Sequence, residues 1–231
     1  MKALVYGGPW KMQVLDRPVR APGPGEVQVR IEATGICGSD IHGYTGKTGR
    51  RHEGQVMGHE TVGRVSDIGA GVSNIGVGDL VTINPVMACG VCDNCRAGEE
   101  QSCESLRVFG VVPDHDAAFA EFATVPQENI VVLPTLQQSL LGALIEPLAV
   151  GYHAARIADV DADSDVLIIG GGPIGQASAL AARRLGAGRV MVSEPSLSRR
   201  KLLSALGMIC IPPTDPNTQL QDLVTRPPVD N

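Results

Sequence analysis

Four cysteines crowd into one short stretch, Cys89, Cys92, Cys95 and Cys103, in the spacing CxxCxxCx7C. Gly90 and Gly98 lie among them and allow the backbone to fold tightly around a centre. Thiolates this close can converge on one tetrahedral ion, and a site filled by four sulfurs leaves no position for a substrate; the chemistry expected is structural zinc. Four thiolates on Zn²⁺ carry a net charge of −2, so the loop must aim backbone N–H groups at the sulfurs. Two other uses of the same residues stay open. One is a pair of disulfides, for which CxxC spacing is geometrically poor; the other is an iron–sulfur cluster of related spacing.

A second set lies upstream. Cys37 stands in GlyIleCysGlySerAsp, and His59 with Glu60 in GlyHisGlu, each beside glycines that permit close approach. A catalytic zinc needs three protein ligands and one open position, and a thiolate, an imidazole and a carboxylate form a suitable mixed set. Taken singly, Cys37 reads first as a small buried hydrophobe, and His59–Glu60 as a solvated or core-satisfied pair; it is the combination that points to metal. Asp40 is expected to orient His59 rather than touch substrate. His52 and His115 are assigned to surface loops, Cys210 to a strand core and His153 to helix packing.

A third set is built on glycine. Gly170, Gly172 and Gly175 follow the apolar run Val166–Ile169 and open a helical pattern, with Pro173 and Ile174 between the second and third glycines. In that context GxGxxG is a dinucleotide turn: the first glycine bends the chain, the second admits a pyrophosphate, and the third lets helix pack on strand. The helix amino terminus then presents its positive end to the phosphates. Glu194 ends the next strand, where a carboxylate can accept from both adenosine ribose hydroxyls and repel a 2′-phosphate, which favours NAD. Arg199 and Arg200 beside it could serve a phosphate instead, or simply be solvated charges on a helix.

The elements that must position these residues change character along the chain. From Ala3 to about Pro134 the pattern is β-rich and closely punctuated by Gly and Pro, as in Val27, Val29 and Ile31 alternating with Gln28 and Arg30, or the runs Leu80–Ile83 and Ile130–Leu133. Between Ser139 and Ala158 the spacing is helical, with Ser139 a candidate cap and Pro147 a candidate break. From Asp165 the rhythm is strand, glycine turn, helix to about Leu185, strand Val190–Val192 and helix Ser196–Leu206, the βαβ order of a parallel sheet.

The 231 residues suffice for two domains, and a formal charge of −6 with no basic block excludes a phosphate-rich nucleic-acid partner. No apolar run approaches the ~20 residues of a membrane span, and no secretory leader is evident. The chain is expected to be cytoplasmic, where clustered cysteines point to metal rather than disulfides.

Taken together, GlyIleCysGlySerAspIleHis, GlyHisGlu, the four-cysteine lobe and GluProLeuAlaVal resemble the zinc-containing members of the medium-chain dehydrogenase/reductase superfamily, from residue 1 to about 210 and in the family's order. Glu146, in GluProLeuAlaVal, makes the chain similar to sorbitol, butanediol and threonine dehydrogenases. The resemblance implies an α/β plus β architecture: a GroES-like, partly closed β-barrel catalytic domain over 1–137, a linking helix over 138–160, and a partial Rossmann dinucleotide-binding domain over 161–231. It implies that Cys37 and His59 bind a catalytic zinc completed by Glu60 or Glu146, with Glu60 ranked first, and that Cys89, Cys92, Cys95 and Cys103 hold a structural zinc. Ser39 and His42 would carry the substrate proton outward, and Arg199 would contact the adenosine.

The activity implied is NAD-dependent oxidation of an alcohol or polyol, by a homodimer or homotetramer. Family members continue for roughly half as long again, and the residues after Asp165 supply only the first of two βαβαβ halves. The chain is therefore expected to be a fragment of a longer enzyme, with a fraying, Pro- and Asp-rich stretch from Pro212 to Asn231. A non-catalytic, zinc-stabilised binding or scaffold protein is the alternative.

Overall fold

A computed structural model describes residues 1–113, 116–134 and 138–213. His115 and nearly all of the stretch from Pro212 lie outside the described residues. The chain divides into two compact units, Met1–Glu146 and Pro147–Asn231.

The first unit is a β structure. Strands β1 (Lys2–Tyr6) and β2 (Met12–Asp16) form an antiparallel pair. They are followed by β3 (Glu26–Gly35), helix α1 (Gly38–Tyr44), β4 (Glu60–Ile68), β5 (Leu80–Ile83), β6 (Val86–Met87), a single helical turn α2 (Asp93–Arg96), β7 (Arg107–Val108), β8 (Phe122–Pro126) and β9 (Ile130–Val132). Five of these make one antiparallel sheet in the order β8-β3-β4-β5-β9, the half-barrel expected from the sequence. Register shifts in β3 opposite β4, at Gln28/Val29 and Ile31/Ala33, mark bulges, which bend and twist a strand and so curl the sheet.

Alternation along β3 is broken at Gln28, which is buried between Val27 and Val29. The burial is tolerated because its amide donates to the Arg20 carbonyl at 2.9 Å and its oxygen accepts from the Ser66 hydroxyl at 2.9 Å. The main core packs Val27, Val29, Val81, Ile83 and Val125 around Phe109.

A 3-10 stretch, Ser139–Leu144, precedes α3 (Ile145–Ile157). Gln138, not Ser139, occupies the capping position. Pro147 does not break the helix, because it lies in the first turn, where its missing N–H would have had no intrahelical partner. His153 is exposed on α3 rather than packed.

The second unit continues with β10 (Asp165–Ile169), α4 (Pro173–Arg184), β11 (Arg189–Ser193), α5 (Leu197–Ala205) and β12 (Ile209–Ile211). The three strands are parallel, in the order β10-β11-β12, and each connection is a helix. This is the first portion of a dinucleotide fold. Val190, Val192, Ala179, Ala182 and Leu203 form its core, with Cys210 packed against them as expected. Among the described residues no helix is long and apolar enough to cross a membrane.

Candidate functional site

Each of the three sets of residues is brought together by a specific local device. In the four-cysteine lobe the Sγ of Cys95 lies 3.9 Å from that of Cys89 and 3.5 Å from that of Cys92, and all four ligand atoms lie within 4.8 Å of one another. Four sulfurs at ~2.3 Å from one tetrahedral ion would stand about 3.8 Å apart, so the cluster fits zinc. A disulfide needs an S–S distance of about 2.05 Å, and all six cysteines are free thiols. The space also admits one ion rather than a multi-iron cluster.

The expected N–H donors are present. Cys89 N–H donates to Cys103 Sγ at 3.2 Å, and Cys92 N–H to Cys89 Sγ at 3.4 Å. Amides of Val91 and Cys92 hold the Cys89 thiol down to about 6. Those of Cys95 and Glu104 lower Cys92, whereas desolvation pushes Cys95 up to about 12. The amides thus favour the thiolate at Cys89 and Cys92, the form a metal takes.

In the upstream set, Cys37, His59 and Glu60 place one ligand atom each within 4.8 Å of the others. Cys37 is the N-cap of α1, directly beyond the end of β3. Its own N–H donates to Asp40 Oδ2 at 3.0 Å, so the carboxylate at the third helical position pins the cap. Glu60 opens β4 and pairs in register with Gly35 at the end of β3. Any Cβ at position 35 would overlap the Glu60 Oε2 atom, so the carboxylate occupies the space of the absent side chain. Gly58, with φ +96°, supplies the left-handed turn that carries His59 into place, and a Cβ there would meet the Phe119 ring at 2.7 Å.

Asp40 Oδ1 lies 3.8 Å from His59 Nδ1. Burial raises the Asp40 pKa, opposed by the charge of His59, the Cys37 N–H and the charge of Arg51. Glu146 is outside the three-residue group. Burial raises its pKa, the His59 charge lowers it, and Glu60 and Asp40 raise it further, so it stands within electrostatic reach of the centre. Ser39 Oγ is buried and has no hydrogen-bond partner, while His42, one turn along α1, is exposed. His52 is exposed.

The glycine turn divides its labour. Gly170 has φ +100°, a conformation that side chains rarely adopt. A Cβ on Gly175 would overlap the Gly170 carbonyl oxygen, so α4 can approach the turn only without one. Gly172, with φ −70°, has nothing within 4 Å of an added Cβ; the fold gives no reason for glycine there, and the space is open to a ligand. That open cradle at the start of α4 fits a pyrophosphate. Pro173 and Ile174 begin the helix, Ile174 exposed.

Glu194 is buried, accepting from Gly171 N–H at 2.6 Å and from Ser196 N–H at 2.7 Å. These two bonds, Ser196 first, hold its pKa below the usual carboxylate range, with smaller help from Arg199 and Arg200. Arg199 stays largely exposed, 3.8 Å from Glu194. Arg200 instead donates to the Glu194 and Pro195 carbonyls, which makes it a loop fastener.

Sequence reasoning missed two residues. Gly171 is constrained where Gly172 is not, since a Cβ there would lie 2.6 Å from Leu203 Cδ1. Arg51 is buried beside Asp40, and no local motif signals it.

Residues 23–135 match the alcohol dehydrogenase GroES-like domain. The chain is 38% identical over 216 residues to 2-dehydro-3-deoxy-L-galactonate 5-dehydrogenase of Pseudoalteromonas atlantica, covering 93% of this chain and 62% of the relative. It is 39% identical over 198 residues to L-threonine 3-dehydrogenase of Pyrococcus horikoshii, covering 84% and 56%. The chain belongs to the zinc-dependent medium-chain dehydrogenase/reductase superfamily.

Among solved members of this superfamily, galactitol-1-phosphate dehydrogenase from Escherichia coli superposes with a TM-score of 0.89 at 30% identity, over 96% of this chain and 66% of the other. The chain spans about three-fifths of the Pseudoalteromonas and Pyrococcus dehydrogenases, 62% and 56% of their lengths.

Proposed function

We propose that this chain carries the catalytic zinc site and the nucleotide turn of a zinc- and NAD-dependent dehydrogenase that oxidises a secondary alcohol or polyol to its carbonyl. The observation that carries the reading is the meeting of Cys37, His59 and Glu60 within 4.8 Å in a GroES-like domain. Three ligands of mixed type are one short of a closed shell, as a catalytic rather than a structural ion requires. Bound there, zinc lowers the pKa of a hydroxyl, and NAD accepts the hydride.

The chain's own residues do the rest. Cys37 and His59 hold the ion, with Glu60 as third ligand and Glu146 as the carboxylate nearby. Ser39 Oγ, buried and unpartnered, accepts the proton of the alcohol as it gives its own hydroxyl proton to His42, which is exposed and releases it to solvent. Gly170, Gly172 and Gly175 cradle the pyrophosphate with Pro173 and Ile174. Glu194 locks the turn through both oxygens, and each oxygen retains a lone pair for a ribose hydroxyl. That choice favours NAD, with Arg199 on the adenosine side.

Cys89, Cys92, Cys95 and Cys103 hold a second, structural zinc. In the same proposal, residues 1–137 are the catalytic domain, 138–160 a linking helix and 161–231 the first part of the nucleotide domain. The enzyme is a cytoplasmic homodimer or homotetramer.

Elemental analysis of the purified chain, and of Cys37→Ser and His59→Ala, tests the reading directly. Two zinc ions in the wild type and one in each variant are expected. NADH titration and a screen of polyols, diols and threonine with NAD then follow the nucleotide and the substrate. A full-length protein that binds both ions but no NADH would be a zinc-stabilised binding protein instead.

A further inference from the structure

Arg51 is a residue with a buried side chain that the mechanism does not use. Its backbone is accessible, but its side chain is 3% exposed. The stem lies against α1 at Gly43, where a Cβ would meet Arg51 Nε at 2.6 Å and Cγ at 2.8 Å, so the missing side chain at 43 is the space that the arginine fills. Its Nη1 donates to the Val111 carbonyl at 2.7 Å. Its Nη2 stands 3.8 Å from Asp40 Oδ1.

Asp40 is therefore faced from two sides. The same Oδ1 that faces Arg51 lies 3.8 Å from His59 Nδ1, and Oδ2 accepts the Cys37 N–H at 3.0 Å. One carboxylate, 2% exposed as a side chain, thus touches the backbone of one candidate ligand and stands beside the ring of another. Among the described residues, the buried side-chain polar atoms without a hydrogen-bond partner are Ser39 Oγ, Asp40 Oδ1, Arg51 Nε and His59 Nδ1. Three of these four belong to the row Arg51–Asp40–His59. Unpaired polar atoms at a functional centre, not scattered through the core, indicate an arrangement kept for what it binds.

Charge makes the same point. Zn²⁺ with the Cys37 thiolate and the Glu60 carboxylate is neutral, and Asp40 behind them adds an uncompensated negative charge in a desolvated place. Apart from His59, Arg51 is the cation paired with Asp40 among the described residues. A guanidinium stays charged at any relevant pH and holds a fixed planar fork, so it fixes the carboxylate's position as well as its charge.

We propose that Arg51 is a positioning residue of the metal centre: anchored on the Val111 carbonyl, it holds Asp40 between the Cys37 amide and the His59 ring, and so sets two zinc ligands at once. This rests on the reading that Cys37, His59 and Glu60 bind zinc.

The test uses the full chain with Arg51→Met and Arg51→Gln, which remove the charge, and Arg51→Lys, which keeps it. Zinc affinity is measured for each site by competition with a chromophoric chelator, with zinc counted per chain, and cobalt substitution reports the ligand geometry by its visible spectrum. The neutral variants are expected to weaken the Cys37 site about 10- to 100-fold and shift its cobalt spectrum, leaving the four-cysteine site unchanged. Arg51→Lys is expected to recover much of that loss.

Two zinc ions of unaltered affinity in a neutral variant, equal weakening of both sites, or a Lys variant no better than Met and Gln would each overturn the proposal. If Arg51→Met fails to fold, Arg51→Gln, which can still donate to Val111, gives the neutral comparison. A wild-type chain that takes up only the four-cysteine zinc would instead remove the reading on which the proposal rests.

Discussion

Replacing Gly172 and Gly175 by alanine separates what the glycine turn does for the fold from what it does for a ligand. At position 172 an added Cβ meets nothing within 4 Å, and the backbone, at φ −70°, is one that alanine adopts freely. Stability should therefore be unchanged within ~0.5 kcal/mol, or rise by about 0.4–1 kcal/mol because the unfolded chain loses freedom. At position 175 the same methyl overlaps the Gly170 carbonyl, a backbone atom that cannot swing aside. Helix α4 would have to retreat by on the order of 1 Å, and overpacking of this kind costs about 1–3 kcal/mol.

Nucleotide affinity should not follow stability. Both variants lose NADH binding, Gly172→Ala because its methyl stands where the pyrophosphate must come close. If that methyl costs about 1–3 kcal/mol as other overpacking does, the loss is roughly 5- to 150-fold. Urea unfolding followed by NADH fluorescence titration of the two variants and the wild type measures both quantities. A Gly172→Ala chain that binds NADH as tightly as the wild type would show that the open space beside α4 is not the phosphate cradle.

Other outcomes follow from the same geometry. Gly35→Ala should leave the sheet folded but push the Glu60 carboxylate aside, weakening zinc at the Cys37 site by about tenfold or more while the four-cysteine site is spared; unchanged affinity would exclude Glu60 as a ligand. Glu194→Gln sets an amide against two N–H donors. Because the folded carboxylate's pKa is depressed, its contribution to stability is present above the unfolded value of about 4.3 and lost as pH falls through the folded value. The gap between wild-type and variant urea midpoints should therefore be full at neutral pH and close in acid; a gap independent of pH would refute it. Chelation of the structural ion should open the 89–103 loop to protease while the sheet core survives, since α2 buries none of its residues and nothing apolar but Cys103 anchors the loop. Phe109→Ala, by contrast, should cost about 3–5 kcal/mol in the core of the first unit, read from urea midpoints.

Periodicity and motif spacing carried much of this protein. Runs of alternating or continuous apolar residues are local signals, and β5 occupies the run read from sequence while β10 and β11 begin one residue sooner. The four-cysteine lobe was equally legible, because three of its ligands lie three residues apart and the fourth only eight further on, and their sulfurs do meet. The glycine turn was legible for the same reason, its conformation being a property of its own backbone.

Long-range packing decided the rest. Gln28 is buried because Arg20 and Ser66 satisfy it from elsewhere in the chain, which alternation alone cannot reveal. Glu60 rather than Glu146 joins Cys37 and His59 because β4 pairs with β3 in the register that sets it over Gly35. Arg51 has no motif; its burial against Gly43 and its approach to Asp40 exist only once α1 has folded back beside it. Local chemistry is written in neighbouring residues, whereas desolvation and charge pairing depend on which distant segments share a small volume, and that is settled by the tertiary fold.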